Sequence, residues 1–324
     1  MTAIRTALIA ALLFLFSIVP ALADGLRVAV ISDLNGSYGS VVYNPRVSAA
    51  VERIIALEPD LVLLTGDMVA GQRRPHLSEA EVRAMWRAFH GVVSVPLARA
   101  GIPLAVTPGN HDASGYSGFE QERRIYADEW RNRVPEVQFV PGGAYPFHYA
   151  FNMAGVQFIS LDATVVGSLD PAQRAWLGAL GTDDISARIV FSHLPLWPFA
   201  QGRETQIIGD AAVARFFQDQ QIDLHLSGHH HAFYPGSEGG VAYVSQACLG
   251  SGPRALIGES AKSSPGFTLI DISATGNIQV SAFEGRAFDA PVDFTTLPRR
   301  ISSPDAVLTR LDLAPTQKVS VSGR

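Results

Sequence analysis

The chain has 324 residues, of which 47% are hydrophobic and 17% charged, so we expect a folded body with a large core and exclude a disordered protein. The formal net charge of −5 is modest and there is no dense basic tract, which argues against sequence-independent binding of nucleic acid. The single cysteine, Cys248, excludes an internal disulfide, and its apolar neighbours predict a small buried side chain.

Residues 1–23 have the pattern of an export signal. Arg5 supplies a positive charge, residues 7–19 form an apolar run, and Ala21-Leu22-Ala23 is an A-x-A cleavage site. The run is short for a membrane span. We therefore expect cleavage after Ala23, no membrane span in the mature protein, and a periplasmic or secreted location; an uncleaved N-terminal anchor is the alternative. Residues 1–23 hold one Arg and no acid, so their loss changes the net charge to −6.

The first part of the body alternates strands and helices. Apolar runs at residues 26–31, 61–64 and 102–106 predict buried strands. Amphipathic patterns after Pro45 and after the cap-like Ser78-Glu79-Ala80-Glu81 predict the helices between them. This order indicates parallel βαβ units, whose strands end along one edge of the sheet.

After a predicted helix over residues 119–133, the pattern changes. Short apolar runs separated by Gly, Pro and Asn turns predict antiparallel hairpins of a second sheet, at residues 137–140, 147–151 and 156–161. Further helices are predicted from Asp170 and over residues 211–217. Further strands are predicted at residues 188–191, 222–226, 241–247, 267–272 and 278–283.

No repeat, low-complexity block or clear linker divides the body. We therefore expect one two-sheet domain over residues 24–294. Beyond it, Pro, Ser, Thr and Arg accumulate and the apolar periodicity fades. Residues 295–324 are expected to form a mobile tail or an extension packed on an edge.

Five predicted strands end in side chains that bind metal ions. These are Asp33 with Asn35, Asp67, Asn110 with His111 and Asp112, His193, and His229 with His231. Carboxylate, imidazole and amide donors without a thiolate suit Mn, Fe or Zn in a hydrolytic site better than a structural zinc site. Since alternate residues of an extended segment point the same way, His229 and His231 form a chelating pair and His230 points elsewhere.

Each residue also has an ordinary explanation when taken alone. Asp33 and Asp67 could cap the turns after strands, and His193 could be a satisfied core histidine. Residues 109–112 could be a polar surface turn, and His225 either supports a ligand or is a core histidine. The joint occurrence of the set at strand ends favours a common site.

The motifs Asp33-Leu34-Asn35, Gly66-Asp67, Gly109-Asn110-His111-Asp112, His193 and Gly228-His229-His230-His231 resemble those of the calcineurin-like metallophosphoesterase superfamily. Its pattern is D-x-H, G-D, G-N-H-[DE], H and G-H-x-H, in this order, and the resemblance extends over residues 26–285. It implies an α/β fold, a four-layer α/β/β/α sandwich with two mixed β-sheets flanked by helices. It also implies two divalent or trivalent metal ions, Mn, Fe or Zn, bridged by an aspartate.

Position by position, the resemblance implies a role for each motif residue. Asp67 would bridge the two ions, and His111 would stand over the substrate, oriented by Asp112 unless Asp112 only caps the next helix. One ion would also be held by Asn110, His193 and His229, and the other by Asp33 and His231.

The first motif departs from the family pattern, because Asn35 stands where a histidine is expected. Its amide oxygen would be a weaker ligand, or would only bond the substrate or a metal-bound water. We therefore expect the ion held by Asp33 and His231 to be bound more weakly, or its site to prefer Mn to Zn. The residues after Asp67 lack the tyrosine of purple acid phosphatases, which argues against that subfamily.

The function implied by the resemblance is an exported two-metal phosphoesterase that acts on a phosphomonoester or phosphodiester. A metal-bound hydroxide would attack phosphorus and His111 would assist the leaving group. Its partner would be a small phosphorylated substrate, such as a nucleotide or a sugar phosphate. The alternative is a degenerate module that binds a phosphorylated ligand without turnover, against which the His111–Asp112 pair argues. Five arginines could hold phosphate or be solvated surface charges: Arg73, Arg74, Arg123, Arg203 and Arg254.

Overall fold

The computed structural model describes residues 25–250 and 252–322, so the predicted signal, residues 1–23, lies outside the described residues. Within the described part, no helix is both long and apolar enough to cross a membrane. Its α-helices are α1 (Pro45–Ala56), α2 (Glu79–Phe89), α3 (Val95–Arg99), α4 (Asn110–Ala113), α5 (Glu120–Arg131), α6 (Pro171–Gly178) and α7 (Ala211–Asp219). A π-helical segment, His90–Ser94, joins α2 to α3, and a 3-10 turn covers Phe294–Thr296.

The strands form two sheets. They are β1 (Leu26–Ile31), β2 (Leu61–Leu64), β3 (Leu104–Val106), β4 (Gln138–Ala144), β5 (His148–Met153), β6 (Val156–Ser160), β7 (Ala187–Ser192), β8 (Leu224–Ser227), β9 (Tyr234–Glu238), β10 (Val241–Ser245), β11 (Gly266–Ile272), β12 (Ile278–Glu284), β13 (Ala290–Pro291), β14 (Arg300–Ser302), β15 (Val307–Arg310) and β16 (Val319–Val321). The first sheet has the order β13-β12-β11-β1-β2-β3, with β16 beside β12, and the second has the order β14-β15-β9-β10-β8-β7-β6-β5-β4.

Both sheets are mixed. In the first, β1, β2 and β3 are parallel, whereas β11 runs antiparallel to β1. In the second, β4, β5 and β6 are antiparallel neighbours, and β6, β7, β8 and β10 are parallel. The predicted parallel units and the predicted hairpins are therefore both present, each in its own sheet.

The side chains of β1 alternate between the two faces of the first sheet, and each face packs against a different layer. Val28 and Val30 pack into the core between the sheets, whereas Ala29 and Ile31 pack against helices α1, α2 and α5. On the far side of the second sheet, Val190 packs with residues of α6 and α7. Each fully buried Val or Leu contributes about 1.5–3 kcal/mol, so the three apolar layers stabilise the arrangement. The predicted four-layer α/β/β/α sandwich is confirmed.

Helices α1 and α2 begin at the capping residues that the sequence predicts. The Ser78 hydroxyl accepts a hydrogen bond from the Glu81 backbone N–H at 3.3 Å, and the Glu81 carboxylate accepts one from the Ser78 N–H at 2.8 Å. Caps of this kind contribute about 1 kcal/mol. Asn44 caps α1 in the same manner, ahead of Pro45 at the first helical position.

Residues after 295 contribute to both sheets. Strands β14 and β15 extend the second sheet next to β9, and β16 pairs with β12 of the first sheet. Their inward side chains Ile301, Leu308 and Val319 are buried. Short strands with one apolar face escape a periodicity search because only one or two positions in each carry the signal.

The strand ends meet at one edge of the molecule. Leu64 lies opposite both Ile31 and Val106, so β1, β2 and β3 end side by side. Ser192 lies opposite Ser227, which brings together the ends of β7 and β8 in the other sheet. The polar residues that follow these five strands therefore face one common region.

Candidate metal centre

Three ligand atoms surround the Nε2 atom of His193. Asp67 Oδ1 lies 3.3 Å from it, Asn110 Oδ1 lies 2.9 Å away and His229 Nδ1 lies 3.2 Å away. His193 and His229 follow β7 and β8 of the second sheet, whereas Asp67 and Asn110 follow β2 and β3 of the first. The site is thus assembled across the two sheets, and one cation could contact donors from all four segments.

The far nitrogen of each predicted histidine ligand is held by a carbonyl oxygen. Since such an oxygen only accepts hydrogen bonds, that ring nitrogen carries a proton, and the nitrogen facing the centre is the one that a metal ion would bind. His193 Nδ1 donates to Thr65 O at 2.8 Å, His229 Nε2 to Gln206 Oε1 at 3.0 Å, and His231 Nδ1 to Gly252 O at 2.9 Å. All three rings are therefore preset as metal ligands.

A second group of donors adjoins the first. His231 Nε2 lies 3.0 Å from Asp33 Oδ1, while Asp33 Oδ2 accepts bonds from the Ser32 hydroxyl and the His229 N–H. Asp33, Asp67 and His193 each offer one ligand atom, and these atoms lie within 4.8 Å of one another. These three residues could together hold a metal ion, and they come from both of the predicted ligand sets.

Charges in the site favour a bound cation. Burial disfavours ionisation of Asp67, yet His193 and His111 hold its pKa well below the usual range. Burial likewise opposes protonation of His193, but the Asp67 carboxylate raises its pKa to about 9. Asp33 also has a lowered pKa, because His231 and His193 outweigh its burial. Buried carboxylates need positive partners, and cations with these nitrogen and oxygen donors meet that need.

Two glycines permit the close approach of the ligand segments. A Cβ atom on Gly109 would overlap the backbone nitrogen and carboxylate of Asp67, and one on Gly228 would overlap the Ser32 hydroxyl. Four non-glycine ligands also have left-handed backbone conformations, with φ of 53°, 57°, 65° and 51° at Asp33, Asp67, His229 and His231. Such conformations cost about 1–3 kcal/mol each and concentrate at functional sites.

His111 stands at the accessible side of the site. Its ring is 25% exposed, and its Nε2 atom lies 3.9 Å from Asp67 Oδ2. Its backbone N–H donates to Asp67 Oδ1 at 2.9 Å, and within the described residues its Nδ1 atom makes no hydrogen bond. The ring is therefore next to the predicted bridging carboxylate and is not committed to another side chain.

The expected bond between Asp112 and His111 is absent from the described contacts. Asp112 Oδ1 accepts the Gly109 N–H at 2.6 Å, and Oδ2 accepts the Met68 N–H at 2.7 Å. The prediction that Asp112 orients His111 is wrong in this respect, because both carboxylate oxygens already accept backbone N–H groups, those of Gly109, just ahead of the helical turn at residues 110–113, and of Met68 in a neighbouring segment. Burial raises the pKa of Asp112 to about 7. Asp112 holds the Gly109 and Met68 segments together.

Asn35 is held next to the predicted ligands through its backbone. Its N–H donates to Asp67 O at 3.1 Å. The residue is only 5% exposed, and its Oδ1 atom has no hydrogen-bond partner among the described residues. An unpaired buried oxygen costs about 1–3 kcal/mol, which ligation of a cation would offset.

Two buried histidines, His225 and His230, are bonded away from the candidate centre. His230 Nδ1 accepts the Phe199 N–H at 3.0 Å, and His230 Nε2 donates to Gln206 O at 3.1 Å. His225 Nε2 bonds the Ser192 hydroxyl at 2.8 Å. Burial lowers the pKa of each to about 3. Both are neutral core histidines. His230 points away from the centre as predicted, although the segment is not extended, because His229 and His231 have left-handed φ values.

Two glutamines support the ligands and carry no motif. Gln72 Oε1 accepts the Asn110 amide N–H at 2.7 Å, which turns the Asn110 oxygen toward His193. Gln206 accepts from His229 through its side chain. Both lie in irregular segments away from the ligand motifs, so no periodicity or spacing in the sequence points to them.

Of the five candidate arginines, Arg203 and Arg254 adjoin the centre. Arg203 Nη1 donates to Gln206 Oε1, and the Arg254 N–H donates to His231 O at 3.2 Å. Burial and then Arg254 lower the pKa of Arg203, against the opposing effect of Asp67 and Asp33. The others lie elsewhere: Arg123 pairs with Asp162 at 2.6 Å, Arg74 bonds Ser117 O, and Arg73 interacts with Glu81.

Fold and site together define an α/β/β/α-sandwich protein with a metal site between its sheets. The model of the calcineurin-like phosphoesterase family matches residues 26–233. The chain therefore belongs to the calcineurin-like phosphoesterase family, as its motifs indicated. No curated protein sequence matches the chain.

Solved structures with the same fold share little sequence with it. A purple acid phosphatase from yellow lupin (Lupinus luteus) seeds has a TM-score of 0.63 at 16% identity, covering 83% of this chain and 52% of its own. The chain thus spans about half of the lupin enzyme. A dimetal phosphatase from Danio rerio has a TM-score of 0.53 at 16% identity, covering 77% and 93%. GAP50, the anchor in the inner membrane complex of Plasmodium, has a TM-score of 0.55 at 12% identity, covering 93% and 98%.

Proposed function

We propose that the protein is an exported phosphoesterase that uses two metal ions to hydrolyse a phosphomonoester or phosphodiester. The observation that carries the proposal is the convergence of Asp67, Asn110 and His229 on His193, with each imidazole preset by a carbonyl on its far side. A structural zinc site would use thiolates and would be closed, whereas these oxygen and nitrogen donors lie beside the partly exposed His111.

The ligands divide into two sets. Asp67 would serve both ions; one is completed by Asn110, His193 and His229, the other by Asp33 and His231, with Asn35 as a candidate additional ligand. When bound, the pair of ions would neutralise the phosphoryl oxygens and activate a water for in-line attack. Mn²⁺ suits the second set because an amide oxygen replaces an imidazole at Asn35.

The residues of the chain around these ligands would position the ester. His111, beside Asp67 and partly exposed, would donate a proton to the leaving oxygen, a contribution of about 10²–10⁴-fold. Arg203 would contact the non-bridging phosphoryl oxygens, since it is close to Asp67 and Asp33 and bonded through Gln206 to the His229 side of the site.

The place of action belongs to the same proposal. Residues 1–23 carry the export pattern, and removal after Ala23 would leave Asp24 as the first residue. Mass spectrometry of the protein from the extracytoplasmic fraction should show a chain that begins at Asp24. A chain that keeps residues 1–23 there would contradict cleavage and support the N-terminal anchor.

One experiment tests the chemistry. Metal content of the purified protein is measured alongside hydrolysis of p-nitrophenyl phosphate and bis-p-nitrophenyl phosphate with added Mn²⁺. We expect about two ions per chain and turnover of at least one substrate, and the ratio of the two rates reports the preference for monoester or diester. Absence of turnover on both substrates by metal-loaded protein would contradict the proposal and favour the module that only binds a phosphorylated ligand.

A further inference from the structure

Tyr38 is an exposed aromatic residue held in place beside the metal centre. Its side chain is 49% exposed, although tyrosine usually buries much of its ring. The ring centroid lies 5.3 Å from that of His111, with the planes tilted by 45°. The two side chains thus form one aromatic surface that begins at the candidate proton donor.

The turn that carries Tyr38 is well defined. The Ser40 N–H donates to Ser37 O at 2.9 Å, and Gly39 has a φ of +78°, as the third position of a type II turn requires. The Gly39 N–H donates to Ala70 O at 3.1 Å, which ties the turn to the segment that follows Asp67. Tyr38 is therefore presented at a set position by the same segment that carries a metal ligand.

Among residues 25–250 and 252–322, the contacts of Tyr38 lie with the candidate site. Tyr38 interacts with two residues of the site, His111 through its ring and Arg203 through its effect on the arginine's pKa. The same loop also exposes Val41 and Val42, so it offers an apolar face next to polar ligands. An apolar surface at the rim of a site for anions suits the part of the substrate that is not the phosphate.

We infer that Tyr38 and His111 form the binding surface for the leaving group, and that this surface selects esters whose leaving group is a flat aromatic ring. The inference rests on the proposed function, because His111 adjoins the leaving group only if it protonates the leaving oxygen. A planar ring would stack against Tyr38 while its ester oxygen stays next to His111. A small aliphatic leaving group would leave Tyr38 without a contact.

The test compares two probes that cannot be hydrolysed. Dissociation constants of phenylphosphonate and methylphosphonate are measured by calorimetry on the Mn²⁺-loaded protein and its variants. Tyr38→Ala should weaken phenylphosphonate binding about 3- to 10-fold and leave methylphosphonate unchanged, because an aromatic pair contributes this much beyond burial. Tyr38→Phe should retain wild-type affinity for both. Val307→Ala, at a 48% exposed position of β15 outside this loop, is the control and should change neither.

Two results would overturn the inference. Equal affinity of the wild-type protein for both phosphonates would remove the selectivity, and an equal loss of both in Tyr38→Ala would show that Tyr38 only supports His111. Manganese content of every variant shows whether the centre is intact. Hydrolysis of phenyl phosphate separates the two proposals: Tyr38-dependent binding without turnover would remove the hydrolytic function and keep the aromatic surface.

Discussion

The Nε2 atom of His229 lies 3.0 Å from the Oε1 atom of Gln206, and this bond decides which nitrogen of His229 faces the metal centre. The bond also joins His229 to Arg203, whose guanidinium donates to the same oxygen. Gln206 is thus a positioning residue with contacts to a predicted ligand and to a predicted phosphate contact.

Gln206→Ala should lower metal affinity about 10- to 100-fold, because the ring of His229 loses the acceptor that sets its tautomer. Gln206→Glu keeps an acceptor oxygen and should retain most of the affinity. Titration with Mn²⁺ measures both. Gln201→Ala, which removes an exposed amide bonded to Glu259 O, is the control. Unchanged affinity in Gln206→Ala would exclude a positioning role.

Asp67→Ala should abolish both metal retention and hydrolysis, since Asp67 lies against His193 and is the predicted ligand shared by two ions. The measurement is metal content per chain together with the rate on p-nitrophenyl phosphate. Asp183→Asn removes an exposed carboxyl group before β7, at the opposite end of that strand from His193, and should change neither. Retention of two ions by Asp67→Ala would exclude the bridging role.

His111→Ala should lower kcat about 10²- to 10⁴-fold while metal content stays at the wild-type level. We expect kcat to fall without a loss of metal because the side chain of His111 is 3.9 Å from Asp67 Oδ2 and is not among the predicted ligands. Steady-state kinetics and elemental analysis of the same preparation check it. A normal turnover rate in this variant would remove His111 from the mechanism.

Asn35→His should raise affinity at the weaker metal site, and more for Zn²⁺ than for Mn²⁺, because imidazole nitrogen suits Zn better than an amide oxygen does, whereas Mn also accepts carbonyl oxygen. The side chain is buried and its oxygen has no hydrogen-bond partner among the described residues. The imidazole would therefore add a metal-binding nitrogen without breaking a hydrogen bond of that oxygen. Two-site titration with Mn²⁺ and Zn²⁺ reports the change. Identical titration curves for the two proteins would show that position 35 does not ligate.

Stability should fall with acid partly through His225. Burial lowers its pKa from 6.5 to about 3. Below pH 6.5 the unfolded chain binds a proton that the folded protein excludes, so the contribution of neutral His225 is complete above that pH and is lost as the pH falls toward 3.

His225→Gln should reduce the slope of unfolding free energy against pH by about 1.4 kcal/mol per unit between pH 6 and 4. Glutamine can still reach the Ser192 hydroxyl but does not titrate. Urea unfolding at several pH values with a chelator present measures this slope without a contribution from metal release. The same slope in both proteins would assign the acid sensitivity to other groups.

Much of the fold follows from local pattern. Strand β2 is wholly apolar, and β1 and β7 are mostly so apart from Arg27, Arg188 and Ser192, because strands covered on both faces need no polar alternation. The helices α1 and α2 begin at recognisable caps. The short strands β14, β15 and β16 were harder to predict, since their pairing partners lie far away in the chain and their own sequences carry little periodicity.

The candidate site likewise has residues that the sequence predicts and contacts that only the tertiary structure shows. Asp33, Asp67, Asn110, His193, His229 and His231 follow strands, and the ends of parallel strands share an edge of their sheet, so the sequence by itself predicted this set and indicated the family that the family model confirms. Roles that depend on a distance were decided only by the tertiary structure. Asp112 bonds backbone N–H groups instead of His111, Gln206 selects the nitrogen of His229, and Tyr38 lies against His111. Each of these contacts joins segments whose approach depends on how the chain folds in three dimensions, and a one-dimensional pattern does not encode such an approach.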